Sequence, residues 1–126
     1  MKIHHIALTV NNLEESIEFY QNFFGFDRTQ EFGREDMGAR AVFLELDGMR
    51  LELWQFDSMK QNADELGDIY IRGIRHIAFE VDDIEERILF LQAHGLNPTK
   101  VKLGSSGHFY TFITDPNGIA LELYQR

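Results

Sequence analysis

Two stretches decide the fold: His4–Val10, HHIALTV, and Arg75–Val81, RHIAFEV. In the first, His5, Ala7 and Thr9 fall on one side and Ile6, Leu8 and Val10 on the other, the period of a strand with one face on a core. A second strand recurs with it, because Arg50–Phe56, RLELWQF, returns as Ala120–Arg126, ALELYQR. His5 to His76 and Val10 to Val81 are 71 residues apart, whereas Gly25 to Gly95, Gly48 to Gly118 and Glu52 to Glu122 are 70 apart. One residue therefore differs inside a helix, and the rest is expected to keep register. A duplication this regular predicts two copies of one supersecondary unit, each too small to bury its own sheet and helix without a partner.

The residues between the repeats fill in each copy. After the first strand comes NNLEESIEFYQNFFGF, in which Asn11 or Asn12 can cap and Leu13, Ile17, Tyr20 and Phe24 recur at helical spacing before Gly25. Residues 28–40 are polar and contain glycine, a strand and loop. AVFLEL, the Asp47-Gly48 turn and MRLELWQF then read as a hairpin. The order restarts with RHIAFEV as strand and DDIEERILFLQAHG as helix, with Ile84, Ile88 and Leu91 on one face. HFYTFIT, the DPNG turn and IALELYQ close the second copy. The fold class is α+β: two tandem βαβββ modules, about 1–56 and 74–126, joined by a linker of about 57–73.

Composition limits the partners. At 126 residues and 44% hydrophobic the chain suits one compact domain. It begins directly with strand-like sequence and has no long apolar run, so a cytoplasmic protein without a membrane segment is expected. With no cysteine, its chemistry must come from the 5 histidines, carboxylates and hydroxyls. A net charge of −9 disfavours nucleic acid, whose binding rests on Lys and Arg neutralising phosphates.

The strand period also separates two faces. Leu51 and Leu53 oppose Glu52 and Trp54, and Leu121 and Leu123 oppose Ala120, Glu122 and Tyr124. The second face combines small residues with two histidines, two glutamates and aromatics, and a curved sheet would gather these around a cavity. Taken singly, a strand histidine is a hydrogen-bonded sheet residue and such a glutamate a solvated one. Together, His5, Glu52, His76 and Glu122 at matching positions offer imidazole nitrogen and carboxylate oxygen, a set suited to one divalent Ni, Zn, Co, Mn or Fe ion. His4 falls on the aliphatic face and His94 near a helix end, both structural or exposed. Asp115-Pro116-Asn117-Gly118 reads as a tight turn. In the loop KVKLGSSGH, Lys100, Lys102 and His108 are candidates to meet a substrate.

These residues resemble the vicinal oxygen chelate superfamily, and within it the small metal-dependent glyoxalase I type, over essentially the whole chain from HHIAL to DPNGIALELYQ. The resemblance implies a curved sheet around a metal held by His5, Glu52, His76 and Glu122. It also implies a lyase that isomerises the hemithioacetal of a 2-oxoaldehyde, such as methylglyoxal, and a thiol through an enediolate. Glu122 is then the base and Glu52 a ligand and second base, with Thr9, Trp54, Lys100, Lys102, His108 and Tyr124 around the substrate. Thr9 stands where bacterial members commonly carry an arginine for the glutathione carboxylate, so the thiol is left open. An acyl-thioester epimerase, a thiol transferase conferring drug resistance and a non-catalytic bleomycin-type binding protein are the alternatives in the superfamily. The resemblance further implies a homodimer with sites shared between chains.

Overall fold

The computed structural model describes residues 1–60 and 68–126. The chain divides into two units, residues 1–61 and 62–126. Of the expected linker, residues 61–67 lie outside the described residues.

The first unit runs β1 (Ile6–Thr9), α1 (Leu13–Phe24), β2 (Asp27–Arg34), a 3₁₀ turn over Glu35–Met37, β3 (Ala39–Leu46) and β4 (Met49–Phe56). Its sheet has the order β1-β4-β3-β2, with β1 parallel to β4 and the other pairs antiparallel. The second unit repeats this with β5 (Ile77–Glu80), α2 (Ile84–Ala93), β6 (Lys102–Leu103), β7 (Phe109–Thr114) and β8 (Ala120–Gln125), in the order β5-β8-β7-β6. This is the α+β arrangement of tandem βαβββ modules. Among the described residues no helix is long and apolar enough to cross a membrane.

Each helix covers one face of its own sheet. Leu13, Ile17, Tyr20 and Phe24 are buried with Val42, Leu44, Leu51 and Leu53. In the second unit Ile84, Ile88 and Leu91 are buried with Ile113, Leu121 and Leu123. Each such side chain contributes about 1.5–3 kcal/mol by leaving water, and together they fix which face of β4 and β8 points inward.

The two helices start in the same way. Asn12, rather than Asn11, caps α1, its Oδ1 accepting the Glu15 N–H at 2.9 Å, and Asp83 does the same for Glu86 of α2 at 3.0 Å. A side chain from the last strand reaches each start as well. Gln55 Oε1 accepts the Leu13 N–H at 2.6 Å, and Gln125 Oε1 accepts the Ile84 N–H at 2.7 Å. The first helical N–H groups have no intrahelical partner, so these glutamines tie helix to sheet by satisfying one of them. At the other end Gly25, at φ 75°, takes the left-handed conformation that stops α1.

Three features refine or correct the sequence expectation. First, register shifts in the hairpins as well as in the helix. Phe43 faces Glu52 across β3–β4 and Phe112 faces Glu122 across β7–β8, yet the two phenylalanines are 69 residues apart. The reason is the turn: Asp47 and Gly48, at φ 48° and 77°, close the first hairpin in two residues, whereas residues 115–119 close the second. In that longer turn buried Asp115 accepts from the Asn117 and Ile119 N–H groups at 2.8 and 2.9 Å, as a turn-forming aspartate does. Second, the strand expected with a loop in the polar stretch 28–40 is β2, which begins at Asp27 and lies at an exposed edge. Arg28 and Arg40 bridge to Glu31 there at 2.7 and 2.9 Å, holding its carboxyl below the usual range, chiefly through Arg40. Charge of this kind discourages strand addition at an edge. Third, the expected loop KVKLGSSGH contains the two-residue strand β6.

Gln125→Ala leaves the Ile84 N–H without its acceptor, which should cost about 1–3 kcal/mol and lower the thermal midpoint by several degrees. Gln125→Glu keeps an acceptor oxygen at a helix N-terminus and should melt near the wild type. Equal melting of the alanine and glutamate variants in a calorimetric scan would show that this bond does not hold the helix.

Candidate functional site

The parallel pairs β1–β4 and β5–β8 set the geometry. Ala7 lies beside Glu52 and Ala78 beside Glu122 in register, so the residue two before each alanine, His5 or His76, lies on the same face one diagonal step from its glutamate. His5 Nε2 is 2.8 Å from Glu52 Oε2, and His76 Nε2 is 2.8 Å from Glu122 Oε2. On the other side of each glutamate stands a phenylalanine. The rings of His5 and Phe43 meet at 5.5 Å and 69°, those of His76 and Phe112 at 5.3 Å and 76°. The small alanine leaves room for the imidazole, and the phenylalanine packs across it. The carboxylates are largely covered, at 13% and 14% exposure, while the imidazoles are more open at 36% and 29%.

This donor set fits a divalent ion. In each pair one imidazole nitrogen and one carboxylate oxygen face the same point, where a cation could take both as donors. Two donors about 2.1 Å from an ion at a right angle stand about 3 Å apart, close to the spacing seen in both pairs. Among the described residues no group of three or more His, Cys, Asp or Glu is placed to hold a metal. Each unit therefore presents half of the expected four-ligand set. His4, expected on the aliphatic face, instead lies exposed with its ring against Phe43 and its Nδ1 2.9 Å from His5 Nδ1. That contact occupies the Nδ1 side of His5 and leaves Nε2 turned toward Glu52.

The remaining candidates divide between two cavities and one hydrogen-bonded pair. In the first unit Ala7, Thr9, Arg34, Met37, Trp54 and Phe56 line a cavity of about 270 Å³. Trp54 and Phe56 stack at 5.8 Å and 14°, giving it an aromatic wall. Arg34 is tied to Asp36 by contacts of 2.7 and 3.3 Å. In the second unit His108 and Tyr124 come together, with Tyr124 Oη 2.6 Å from His108 Nδ1. Tyr124 follows Glu122 by two residues on β8 and shares its face. Also in the second unit, His76, Phe112, Thr114 and Ala120 line a cavity of about 310 Å³ with Arg75 and Asn97. Lys100 and Lys102 are exposed and line neither cavity. His94 bonds the Phe90 carbonyl at 2.8 Å and takes no part in the site.

Sequence reading missed Phe43, Phe112, Arg34, Arg75 and Asn97. Strand alternation places Phe43 and Phe112 opposite the glutamates once the hairpin turns are known. For Asn97, which lies in a segment without regular structure, no periodic signal exists.

Residues 2–123 match the family model described as the Glyoxalase/Bleomycin resistance protein/Dioxygenase superfamily. The chain belongs to this family. It is 31% identical to the methylmalonyl-CoA epimerase of Dictyostelium discoideum over 99% of this chain and 78% of that protein. It is 33% identical to the lactoylglutathione lyase of Neisseria meningitidis over 100% of this chain and 91% of that one. A glyoxalase family protein of Enterococcus faecalis superposes with a TM-score of 0.84 at 31% identity, covering 98% of this chain and 96% of the other.

Trp54 is the single tryptophan, so its emission reports on the first cavity. Acrylamide should quench it readily in the wild type, and Ala7→Leu, which fills the cavity beside it, should lower the quenching constant. An unchanged constant in a folded Ala7→Leu protein would mean that the ring does not open on that space.

Proposed function

We propose that His5, Glu52, His76 and Glu122 hold one divalent metal ion and that the protein is a lyase of the glyoxalase I type, acting on the hemithioacetal of a 2-oxoaldehyde and a thiol. The observation that carries this reading is the same 2.8 Å His–Glu pair at the same sheet register in both units. A divalent ion, when bound, supplies positive charge that stabilises negative charge developing on substrate oxygen. Glu122 takes the proton from carbon 1 of the hemithioacetal, which leaves an enediolate, and returns it to carbon 2 to give a 2-hydroxy thioester. Glu52, its counterpart in the other module, serves as ligand and second base. Thr9 and Trp54 border the substrate on one side, and His108 and Tyr124 on the other. Lys100 and Lys102 lie in the segment that closes over it.

A second reading draws on the likeness to the methylmalonyl-CoA epimerase. Two carboxylates from repeated modules suit removal of a proton beside a thioester carbonyl and its return from the opposite face. Assays with methylglyoxal plus a panel of thiols, set against a methylmalonyl thioester, separate the two.

The four ligands come together, in this reading, across a homodimer, with His5 and Glu52 of one chain meeting His76 and Glu122 of the other. Exposed Ile69, Tyr70 and Ile74 before β5 and Ile3 before β1 supply apolar surface of the kind that dimers bury.

Chelated and reconstituted protein should take up one ion per four-ligand set, and His76→Ala should lose that stoichiometry in elemental analysis; full retention would remove His76 from the set. Glu122→Gln should lower turnover by about 10²- to 10⁴-fold with the fold intact. Co-refolding a His5→Ala chain with a Glu122→Ala chain should restore part of the activity, since one site of the mixed dimer carries both defects and the other none. A monomer by sedimentation with full metal content would exclude sharing between chains.

A further inference from the structure

The chain has eight arginines and a net charge of −9, so an arginine without a partner needs a reason. Arg28, Arg34, Arg40, Arg50 and Arg126 each meet a carboxylate, and Arg87 lies over the Phe90 ring. Among the described residues, Arg72 and Arg75 form no hydrogen bond, ion pair or ring contact. Of these two only Arg75 lines the 310 Å³ cavity that also contains His76. Asn97 and Thr114, on the same cavity, likewise have no side-chain partner among the described residues. The wall carrying Asn97 is held in place. Thr99 donates its N–H to the Phe112 carbonyl at 2.9 Å, and its Oγ1 accepts the Phe112 N–H at 2.9 Å.

We propose that Arg75, Asn97 and Thr114 form a carboxylate subsite beside His76, and hence that the substrate carries a carboxylate close to its reacting carbon. The guanidinium fork matches a carboxylate in two parallel hydrogen bonds, the Asn97 amide and the Thr114 hydroxyl each add a donor, and Phe112 and Ala120 offer apolar contact to the carbon skeleton. On a protein this acidic, an anion is repelled over most of the surface and gathered where a cation stands unopposed. Arg75 precedes His76 directly, and adjacent Cα atoms are 3.8 Å apart, so the fork reaches a group within roughly 10 Å of the His76 ring. That distance suits a carboxylate on a short acyl group or on a small thiol, and not one at the far end of a long thiol cofactor.

The subsite rests on the metal reading only for what lies next to it, and calorimetry separates the two. Malonate stands for a carboxylated acyl group and mercaptoacetate for a carboxylated thiol, with malonamide as the neutral control. Each is titrated into chelated and metal-reconstituted protein. Wild type should bind one of the two acids more tightly than malonamide in both forms, and the tighter acid tells which part of the substrate bears the charge. Arg75→Gln should weaken that acid roughly 10- to 100-fold, Arg75→Lys less, and Arg72→Gln not at all. An Arg75→Gln protein that binds both acids as wild type does, or an equal loss in Arg72→Gln, overturns the subsite. Metal uptake by His76→Ala at the wild-type level, with the Arg75 dependence intact, overturns the metal reading and leaves the subsite standing.

Discussion

Each half of the chain depends on one parallel strand pair, β1 with β4 and β5 with β8. Parallel neighbours cannot be joined by a tight turn and need a long crossover, which here consists of a helix and the outer strands. The helix must then lie on one face of the sheet and bury its apolar stripe there, leaving the opposite face to polar residues. His5 and Glu52 are far apart in sequence, yet this pairing sets them side by side, and it does the same for His76 and Glu122. The Gln55 and Gln125 bonds to the helix starts secure the crossover at the strand that carries each glutamate.

The glutamates are placed by their neighbours more than by their own contacts. Leu51 and Leu53 flank Glu52, Leu121 and Leu123 flank Glu122, and all four leucines are fully buried. A one-residue slip of β4 or β8 would turn the glutamate into the apolar layer and two leucines into water. Burying a carboxylate without a partner costs several kcal/mol, and exposing two leucines adds about 1.5–3 kcal/mol for each. Register is therefore specified strongly at the point where the candidate chemistry requires it.

That same coupling explains what could be read from the sequence. Elements with one more covered face, namely β1, α1, β4, β5, α2 and β8, carry a period of two or of helical type, and their sites follow from it. The edge strand β2 carries no such period because it buries almost nothing, seven of its eight residues being exposed, so a strand and loop could be read there only without bounds. The 69-residue spacing of Phe43 and Phe112 was hidden by the glycines of the two turns, which keep a spacing of 70 although the turns differ in length. The Tyr124–His108 bond joins β8 to the residue before β7, and the lack of a partner for Arg75 among the described residues depends on which carboxylates the fold brings near. Neither leaves a periodic trace.

The two units agree where register constrains them and differ where it does not. Both carry His, Glu, Ala and Phe at equivalent positions, since each of these touches its neighbours in the sheet. Two residues beyond the glutamate, the constraint is lost: Trp54 stacks on Phe56, whereas Tyr124 bonds His108. Before the histidine, His4 contacts His5, while Arg75 lines a cavity and has no partner among the described residues. The cavity of the first unit thus has an aromatic wall, while that of the second unit carries Arg75 beside the histidine. Duplication under a common register keeps the residues that the sheet holds alike, and those that it does not hold are free to diverge.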